Sequence, residues 1–190
     1  MSDTVLLQIA KMAILSQFSN EQVLDKDRIL NDYPYLKEDA ATFVTLTSNN
    51  DLRGCIGSIA AYRSLYDDLV GNAVSAAFSD PRFNSLNEDE LSLINLEVSV
   101  LSEAKIIEYD DYDDLCAKIH PFVDGLILRH GRYQGTFLPQ VWEQLPSPQL
   151  FLEHLSMKAG SDLSIYQEHP SIYRYGVKKI KNKFDEIQLL

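Results

Sequence analysis

Hydrophobic and polar residues alternate along several short segments of this chain, and alternation with a period of two is typical of half-buried strands. Leu93–Leu101 is the clearest case, because every second residue is apolar and the residues between are polar. The same pattern predicts strands at Phe43–Thr47, Leu52–Ile59, Gly125–Arg129, Gly135–Leu138 and Ile172–Val177. Asn49–Asp51 tolerates positive φ and predicts a hairpin that pairs the first two strands antiparallel.

Other segments carry apolar residues at helical spacing. This spacing, together with capping residues, predicts helices at Val5–Leu15, Asp27–Asp32, Ser64–Ser79, Asp111–Ile119 and Ser147–Gly160. Ser64 and Ser147 are N-cap residues, Pro148 suits the first helical position, and Gly160 suits the C-terminal end. Strands joined by short turns, with helices at irregular intervals, indicate an α+β fold whose sheet is mainly antiparallel and flanked by helices.

Composition restricts the class of protein further. The 190 residues are enough for one substantial core, or for a domain with a small additional lobe, and no repeat or long linker interrupts them. A net charge of −11 disfavours both nucleic acid and an anionic membrane surface as partners. The basic run Lys178–Lys183 is therefore interpreted as a solvated end. No apolar run reaches the roughly 20 residues of a membrane span.

Cysteine usage bears on the compartment and on cofactors. With Cys55 and Cys116 alone, no disulfide framework is implied, and a reducing cytoplasm is expected. The two cysteines lack the paired spacing of a zinc site. The acidic residues between 108 and 114 lack the glycine and terminal glutamate of an EF-hand, so they are interpreted as a solvated helix start. No cofactor is predicted.

The segment Leu52–Ser58 is the strongest candidate for chemistry. Glycine inside a strand usually marks a bulge or a close backbone approach. Alternation places Arg53, Cys55 and Gly57 on one face, where the missing side chain of Gly57 would leave room for a ligand. A cation beside a thiol favours the thiolate, so Arg53 would activate Cys55. The alternative is that Cys55 is a buried small hydrophobic residue.

Two further residues flank a proline turn. Asp80 and Arg82 are candidates for lining the same pocket, although a helix stop with a local ion pair would use the same residues. Glu97 lies on the polar face of its predicted strand. It is interpreted either as a solvent residue or as an ionic partner of Arg53 or Arg82.

A base for the thiol is not defined by any local motif. Of the four histidines, His130 is the best candidate, because it ends a predicted strand beside a glycine turn. An ordinary surface histidine is the alternative, since a base is assigned only from geometry.

Six segments match, in order, the motifs of a known protein family: Leu52–Gly57, Asp80–Phe83, Leu96–Leu101, Val123–Leu128, Gly135–Trp142 and Lys158–Gly160. On these segments, in this order and over most of its length, the chain resembles the AMME chromosomal-region family, also called AmmeMemoRadiSam system protein A. The turn Arg132–Gln134 and the lysine-rich tail depart from the family pattern.

The resemblance implies a single domain over residues 1–190 with a larger antiparallel-sheet lobe, a smaller lobe and a cleft near the Arg-Gly-Cys strand. It brings no settled activity. It also implies two companions, a Memo-like protein and a radical S-adenosylmethionine protein.

These observations lead to one functional hypothesis and one alternative. The hypothesis is a cytosolic enzyme or enzyme subunit in which Cys55, activated by Arg53, acts on a small organic substrate or a partner peptide. The pocket candidates are Gly54, Gly57, Asp80, Arg82, Glu97 and His130. The alternative is a non-catalytic protein that binds a partner or ligand and uses the Arg-Gly-Cys strand as a structural element.

Overall fold

The computed structural model of the protein describes residues 4–19 and 24–190. The fold is α+β with two antiparallel sheets flanked by helices, which confirms the predicted class, although the strands divide between two sheets. The chain separates into two compact units. The first comprises the described residues up to Leu101 together with Lys178–Leu190, and the second is Ser102–Val177.

The first unit is built on a four-stranded sheet. Its elements in chain order are α1 (Thr4–Leu15), α2 (Lys26–Asp32), a 3-10 helix (Pro34–Lys37), β1 (Ala41–Ser48), β2 (Asp51–Gly57), α3 (Leu65–Phe78), a second 3-10 helix (Glu88–Leu93) and β3 (Ile94–Leu101). The later strand β8 (Val177–Lys183) completes the sheet in the order β2-β1-β3-β8. The alternating apolar residues of β1 and β3 face α1 and α3, because this face buries them in one core.

A buried polar network attaches α3 to the sheet. The carboxylate of Asp68, which has no exposed surface, accepts hydrogen bonds from both the backbone N–H and the hydroxyl of Thr42. Ser58, Arg63 and Asn72 also donate to it. A buried charge is costly unless it is paired and hydrogen-bonded, and here these donors surround the carboxylate.

The second unit has its own sheet and core. Its elements are β4 (Lys105–Ile106), α4 (Tyr112–Lys118), β5 (Gly125–His130), β6 (Tyr133–Phe137), a 3-10 helix (Pro139–Glu143), α5 (Pro148–Lys158), a 3-10 helix (Leu163–Glu168) and β7 (Ser171–Tyr175), with strand order β4-β7-β5-β6. The ring of Trp142 stacks on Phe151 with centroids 3.8 Å apart, and its indole N–H donates to the carbonyl of Asp124 at 2.7 Å. The indole is thus buried without an unpaired donor.

Local signals in the sequence agree with these elements. Asn49 and Asn50 both adopt positive φ, and the hairpin between β1 and β2 is antiparallel, as predicted. The hydroxyls of Ser64 and Ser147 cap α3 and α5. Gly160 follows α5 with φ +88°, which confirms its predicted role.

Several strand predictions differ from the structure. The strand predicted at Gly135–Leu138 is Tyr133–Phe137, and the one predicted at Ile172–Val177 ends at Tyr175, because Val177 already begins β8 of the other sheet. The strand predicted at Leu52–Ile59 ends at Gly57, because the hydroxyl of Ser58 turns to the buried Asp68 at 2.7 Å. The lysines of the predicted tail are exposed as expected, but they lie in strand β8, which the sequence interpretation missed. Lysine on an edge strand discourages further strand pairing.

Within residues 4–19 and 24–190, no helix combines the length and the apolar character needed to cross a membrane.

Candidate functional site

The predicted site strand β2 lies at the edge of its sheet and contains an irregularity at Arg53. Leu46 is opposite Gly54, but the next residue, Thr47, is opposite Leu52. Arg53 is therefore an extra residue in β2, as in a β-bulge. The bulge places Leu52 on the same side as Thr47, so the simple alternation expected for this segment stops at Arg53.

Cys55 lies at the centre of this strand, beside a threonine. Thr45 is directly opposite Cys55 in β1, and its hydroxyl donates to the Cys55 sulfur at 3.3 Å. On the other side of β1, Thr45 is opposite Glu97 in β3. The thiol is a free cysteine and is partly exposed. The side chains of Cys55, Thr45 and Glu97 form one row across the face of the sheet that points away from α3.

Asp80 and Arg82 bind the backbone of Cys55 from the outer edge of β2. The Asp80 carboxylate accepts the N–H of Cys55 at 2.8 Å, and Arg82 donates to the carbonyl of Cys55 at 3.2 Å. Arg82 also pairs with both carboxylate oxygens of Asp80, at 2.9 and 2.7 Å. Together the two side chains satisfy the backbone groups that an edge strand leaves without a neighbouring strand.

The charges of this clamp are strongly coupled. Hydrogen bonds from Arg82, and then from the backbone N–H of Cys55, hold the pKa of the Asp80 carboxyl well below its ordinary value. The pKa of Arg82 is raised, first by its hydrogen bonds to Asp80 and further by its electrostatic interactions with Asp80 and with Cys55. The Arg82 guanidinium thus lies against the backbone of the residue that carries the thiol.

Arg53 has a different partner. Its Nε and one Nη donate to the two carboxylate oxygens of Glu90 at 2.7 and 3.0 Å, a bidentate pair with only 15% of the Arg53 side chain exposed. This pairing lowers the pKa of Glu90, with the Arg53 hydrogen bond as the largest cause. The other Nη of Arg53 is buried and has no hydrogen-bond partner among the described residues.

Glu97 pairs with neither arginine. Its carboxylate lies 3.9 Å from the Nζ of Lys179 in β8, so of the two interpretations of Glu97 the one as an ionic partner of Arg53 or Arg82 is wrong. Arg82 has the local partner Asp80 that the proline turn allows, whereas the partner of Arg53, Glu90, comes from a segment that strand alternation does not place beside β2.

The two glycines of the strand both stand where another group comes close. A Cβ at Gly54 would lie 2.1 Å from the carbonyl oxygen of Ala76 in α3, so Gly54 allows the helix backbone to touch the strand. A Cβ at Gly57 would lie 2.3 Å from the ring of Phe43. The gap predicted at Gly57 is therefore filled by a phenylalanine rather than left for a ligand.

His130 belongs to the second unit. Its Nε2 lies 2.8 Å from a carboxylate oxygen of Glu168, in an ion pair when the ring is protonated. The structure thus gives His130 a carboxylate partner within its own unit.

Glu90 and Thr45 are the site residues that sequence reasoning missed. Glu90 had a detectable signal, because Asn87 and Glu90 have the spacing of a capping box and form one in the structure. The contact of Glu90 with Arg53, 37 residues away, had no signal in the sequence. Within the described ranges, no group of three or more His, Cys, Asp or Glu side chains is arranged to hold a metal ion.

The fold and site define an α+β protein in which an edge-strand cysteine is held by an Asp-Pro-Arg turn. The AMMECR1 family model matches residues 7–180, and the chain belongs to this family. It is 36% identical over 177 residues to a protein of Methanothermobacter thermautotrophicus, covering 90% of this chain and 88% of the relative. It is 40% identical over 163 residues to a protein of Saccharolobus solfataricus, covering 82% and 70%.

A solved structure supports the same assignment. The crystal structure of an uncharacterized protein from Pyrococcus horikoshii superposes with a TM-score of 0.79 at 28% identity, over 94% of this chain and 90% of the other. The similarity spans both units of the fold.

Proposed function

We propose that this AMMECR1-family protein is an enzyme or enzyme subunit that uses the thiol of Cys55 on a small organic substrate or a partner peptide. The observation that carries the proposal is the environment of a partly exposed sulfur. Thr45 donates a hydrogen bond to it, and the Arg82 cation is held beside it by a hydrogen bond to the carbonyl of the same residue. Both interactions favour a thiolate, which is the nucleophilic form of cysteine.

The surrounding residues have distinct roles in this proposal. Cys55 loses its proton to solvent and attacks as the thiolate. Asp80 and Arg82 fix the backbone that carries the sulfur, and Arg82 supplies the positive charge that was expected from Arg53. Arg53, neutralised by Glu90, shapes the strand. Glu97 borders the same row of side chains.

Partners and compartment follow from the family and the cysteines. The family resemblance supports a Memo-like protein and a radical S-adenosylmethionine protein as companions. The free state of Cys55 and Cys116 supports the cytoplasm, where thiols stay reduced.

Alkylation with iodoacetamide at several pH values tests the proposal, with Cys116 as internal comparison. Cys116 is buried, and burial is the main cause of its raised pKa. We expect Cys55 to react faster than Cys116 at pH 7, and Cys55→Ser to remove the fast phase. Arg82→Gln should slow this phase severalfold, because it removes the cation held beside the thiol, and Arg82→Lys should restore part of the rate.

Arg53→Gln is the matched control for the loss of an arginine. Because Glu90 already neutralises Arg53, this variant should change the rate less than Arg82→Gln. A Cys55 that reacts no faster than Cys116, or a rate that Arg82→Gln leaves unchanged, would contradict the proposal.

A non-catalytic binding protein is the second candidate. It is favoured by the fact that each residue of the motif has a structural contact: Arg53 with Glu90, Gly54 with Ala76, the Cys55 backbone with Asp80, and Gly57 with Phe43. Under this alternative, Cys55→Ser would retain full function in any assay of partner binding, and the alkylation rates would not depend on Arg82.

A further inference from the structure

The second unit has a surface cavity of about 450 Å³, open to solvent, that plays no part in the cysteine site. The described residues that line it are Asp111, Tyr112, Leu163, Tyr166, Gln167 and His169. Its volume falls in the range of small-molecule sites, which are mostly apolar with a few polar groups that fix orientation. The lining residues meet this description, because they provide three aromatic rings, one aliphatic side chain, one amide and one carboxylate.

One wall of the cavity consists of two tyrosine rings held in place from behind. Tyr112 and Tyr166 pack with their centroids 5.3 Å apart at an interplanar angle of 52°. The hydroxyl of the buried Tyr166 donates to the carbonyl of Leu152 at 2.8 Å, which fixes its ring. Burial, as the largest cause, raises the pKa of Tyr112 to about 12, so the ring is a neutral phenol at physiological pH.

The imidazole of His169 also lines the cavity and is held by ring stacking. It stacks on the ring of Tyr109 with centroids 5.3 Å apart and nearly parallel planes. The hydroxyl of Tyr109 donates to the carbonyl of Pro170 at 2.7 Å. The rings are therefore positioned before a ligand arrives, which removes part of the entropic cost of binding.

The charge around this cavity is negative. Asp111 is the acidic lining residue, and no lysine or arginine is among the described lining residues. Asp113 and Glu153 also act electrostatically on Tyr112. Aromatic faces carry negative quadrupole charge, so they attract cations, and carboxylates at the rim add to this attraction.

We propose that the cavity is a binding site for a small organic cation, an alkylammonium group whose apolar part contacts the rings of Tyr112, Tyr166 and His169 and whose charge is balanced by Asp111. A neutral apolar ligand would leave the carboxylate unused. An anion would meet Asp111 with no compensating basic side chain among the described lining residues.

Choline and 3,3-dimethylbutan-1-ol form the pair of probes for this proposal, because they share a shape and differ in charge. Titration of the full chain is followed by NMR on the ring resonances of Tyr112 and His169. We expect choline to shift these resonances. The uncharged alcohol should bind about tenfold more weakly than choline, or more weakly still. Absence of shifts with choline, or equal affinity for the two probes, would overturn the proposal.

Two variants assign the contacts. Asp111→Asn removes the charge but keeps the N-cap of α4, since asparagine caps as well as aspartate. We expect it to weaken choline binding severalfold, whereas Asp25→Asn, the same change at the N-cap of α2 in the other unit, should not. Tyr112→Leu should reduce choline binding at least as much as Asp111→Asn. Unchanged affinity in Asp111→Asn and Tyr112→Leu would contradict the assignment.

Discussion

The carboxylate of Asp80 accepts the backbone N–H of Cys55 at 2.8 Å and thereby takes the place of a neighbouring strand. Arg82 completes this arrangement by binding both Asp80 and the carbonyl of Cys55. An ion pair on a proline turn thus protects the edge of the sheet at the one position where a thiol is presented. The backbone position of the cysteine therefore depends on these two side chains.

Stability should depend on the ionised form of Asp80 at low pH. Its pKa is depressed in the folded protein, so its contribution is complete above the unfolded value of about 3.9 and is lost as the pH falls through that value toward the folded one. We expect the free energy of unfolding of the wild type to exceed that of Asp80→Asn most at neutral pH, and the difference to shrink below about pH 4.

Urea unfolding at a series of pH values measures this difference. Asp51→Asn, a change at an exposed residue at the start of β2, is the control and should show a much smaller difference. A gap between wild type and Asp80→Asn that stays constant from pH 7 to pH 3 would contradict the expected linkage.

Gly54→Ala tests the close approach of β2 and α3. The new Cβ would lie 2.1 Å from the carbonyl oxygen of Ala76, and both sides of this contact are backbone, so the helix must move. We expect a loss of about 1–3 kcal/mol in the free energy of unfolding, typical of overpacking. Gly176→Ala is the control, because its Cβ would meet only Ser102 at 3.7 Å. Equal stability of the two variants would show that the contact tolerates a methyl group.

The strands and caps could be predicted because their signals are local. The alternation in β3, the asparagines of the hairpin and the serine caps each determine structure within a few residues. Strand β8 was not predicted because the run of lysines contains one apolar residue, Ile180, and shows no alternation. Ile180 packs on the core of the first unit. A lone apolar residue among lysines does not distinguish an edge strand from a solvated end.

The site could be predicted only as far as strand alternation reaches. Asp80 and Arg82 were predicted as candidates for the same pocket as Cys55; Asp80 does bind the backbone N–H of Cys55, while the pocket itself stays a prediction. The partner of Arg53 could not be predicted, because Glu90 reaches it from a 3-10 helix whose position depends on the tertiary fold. The ring that fills the space at Gly57 belongs to Phe43 in the neighbouring strand. The glycine alone gave no indication that this ring would occupy the space.

Glu90→Gln tests the bidentate pair with Arg53. Glutamine keeps the capping box with Asn87 but removes the charge that faces a guanidinium with 15% exposed surface. We expect unfolding to become easier by about 1–2 kcal/mol, since a hydrogen-bonded charge loses its partner. Urea unfolding provides the measurement, and Glu88→Gln, in an exposed position of the same 3-10 helix, is the control. Identical midpoints for both variants would mean that the pair contributes nothing net.

Thr45→Val tests the hydrogen bond to the Cys55 sulfur. The hydroxyl donates to the sulfur at 3.3 Å, and this donation favours the thiolate over the thiol. A hydrogen bond of about 1 kcal/mol corresponds to roughly a fivefold change, so we expect alkylation of Cys55 at pH 7 to slow by about that factor relative to Cys116. Thr47→Val is the matched control, because the Thr47 hydroxyl on the same strand is buried with no partner among the described residues. Thr47→Val should leave the rate unchanged. If both variants slow the reaction equally, the effect comes from the altered strand surface rather than from the hydrogen bond.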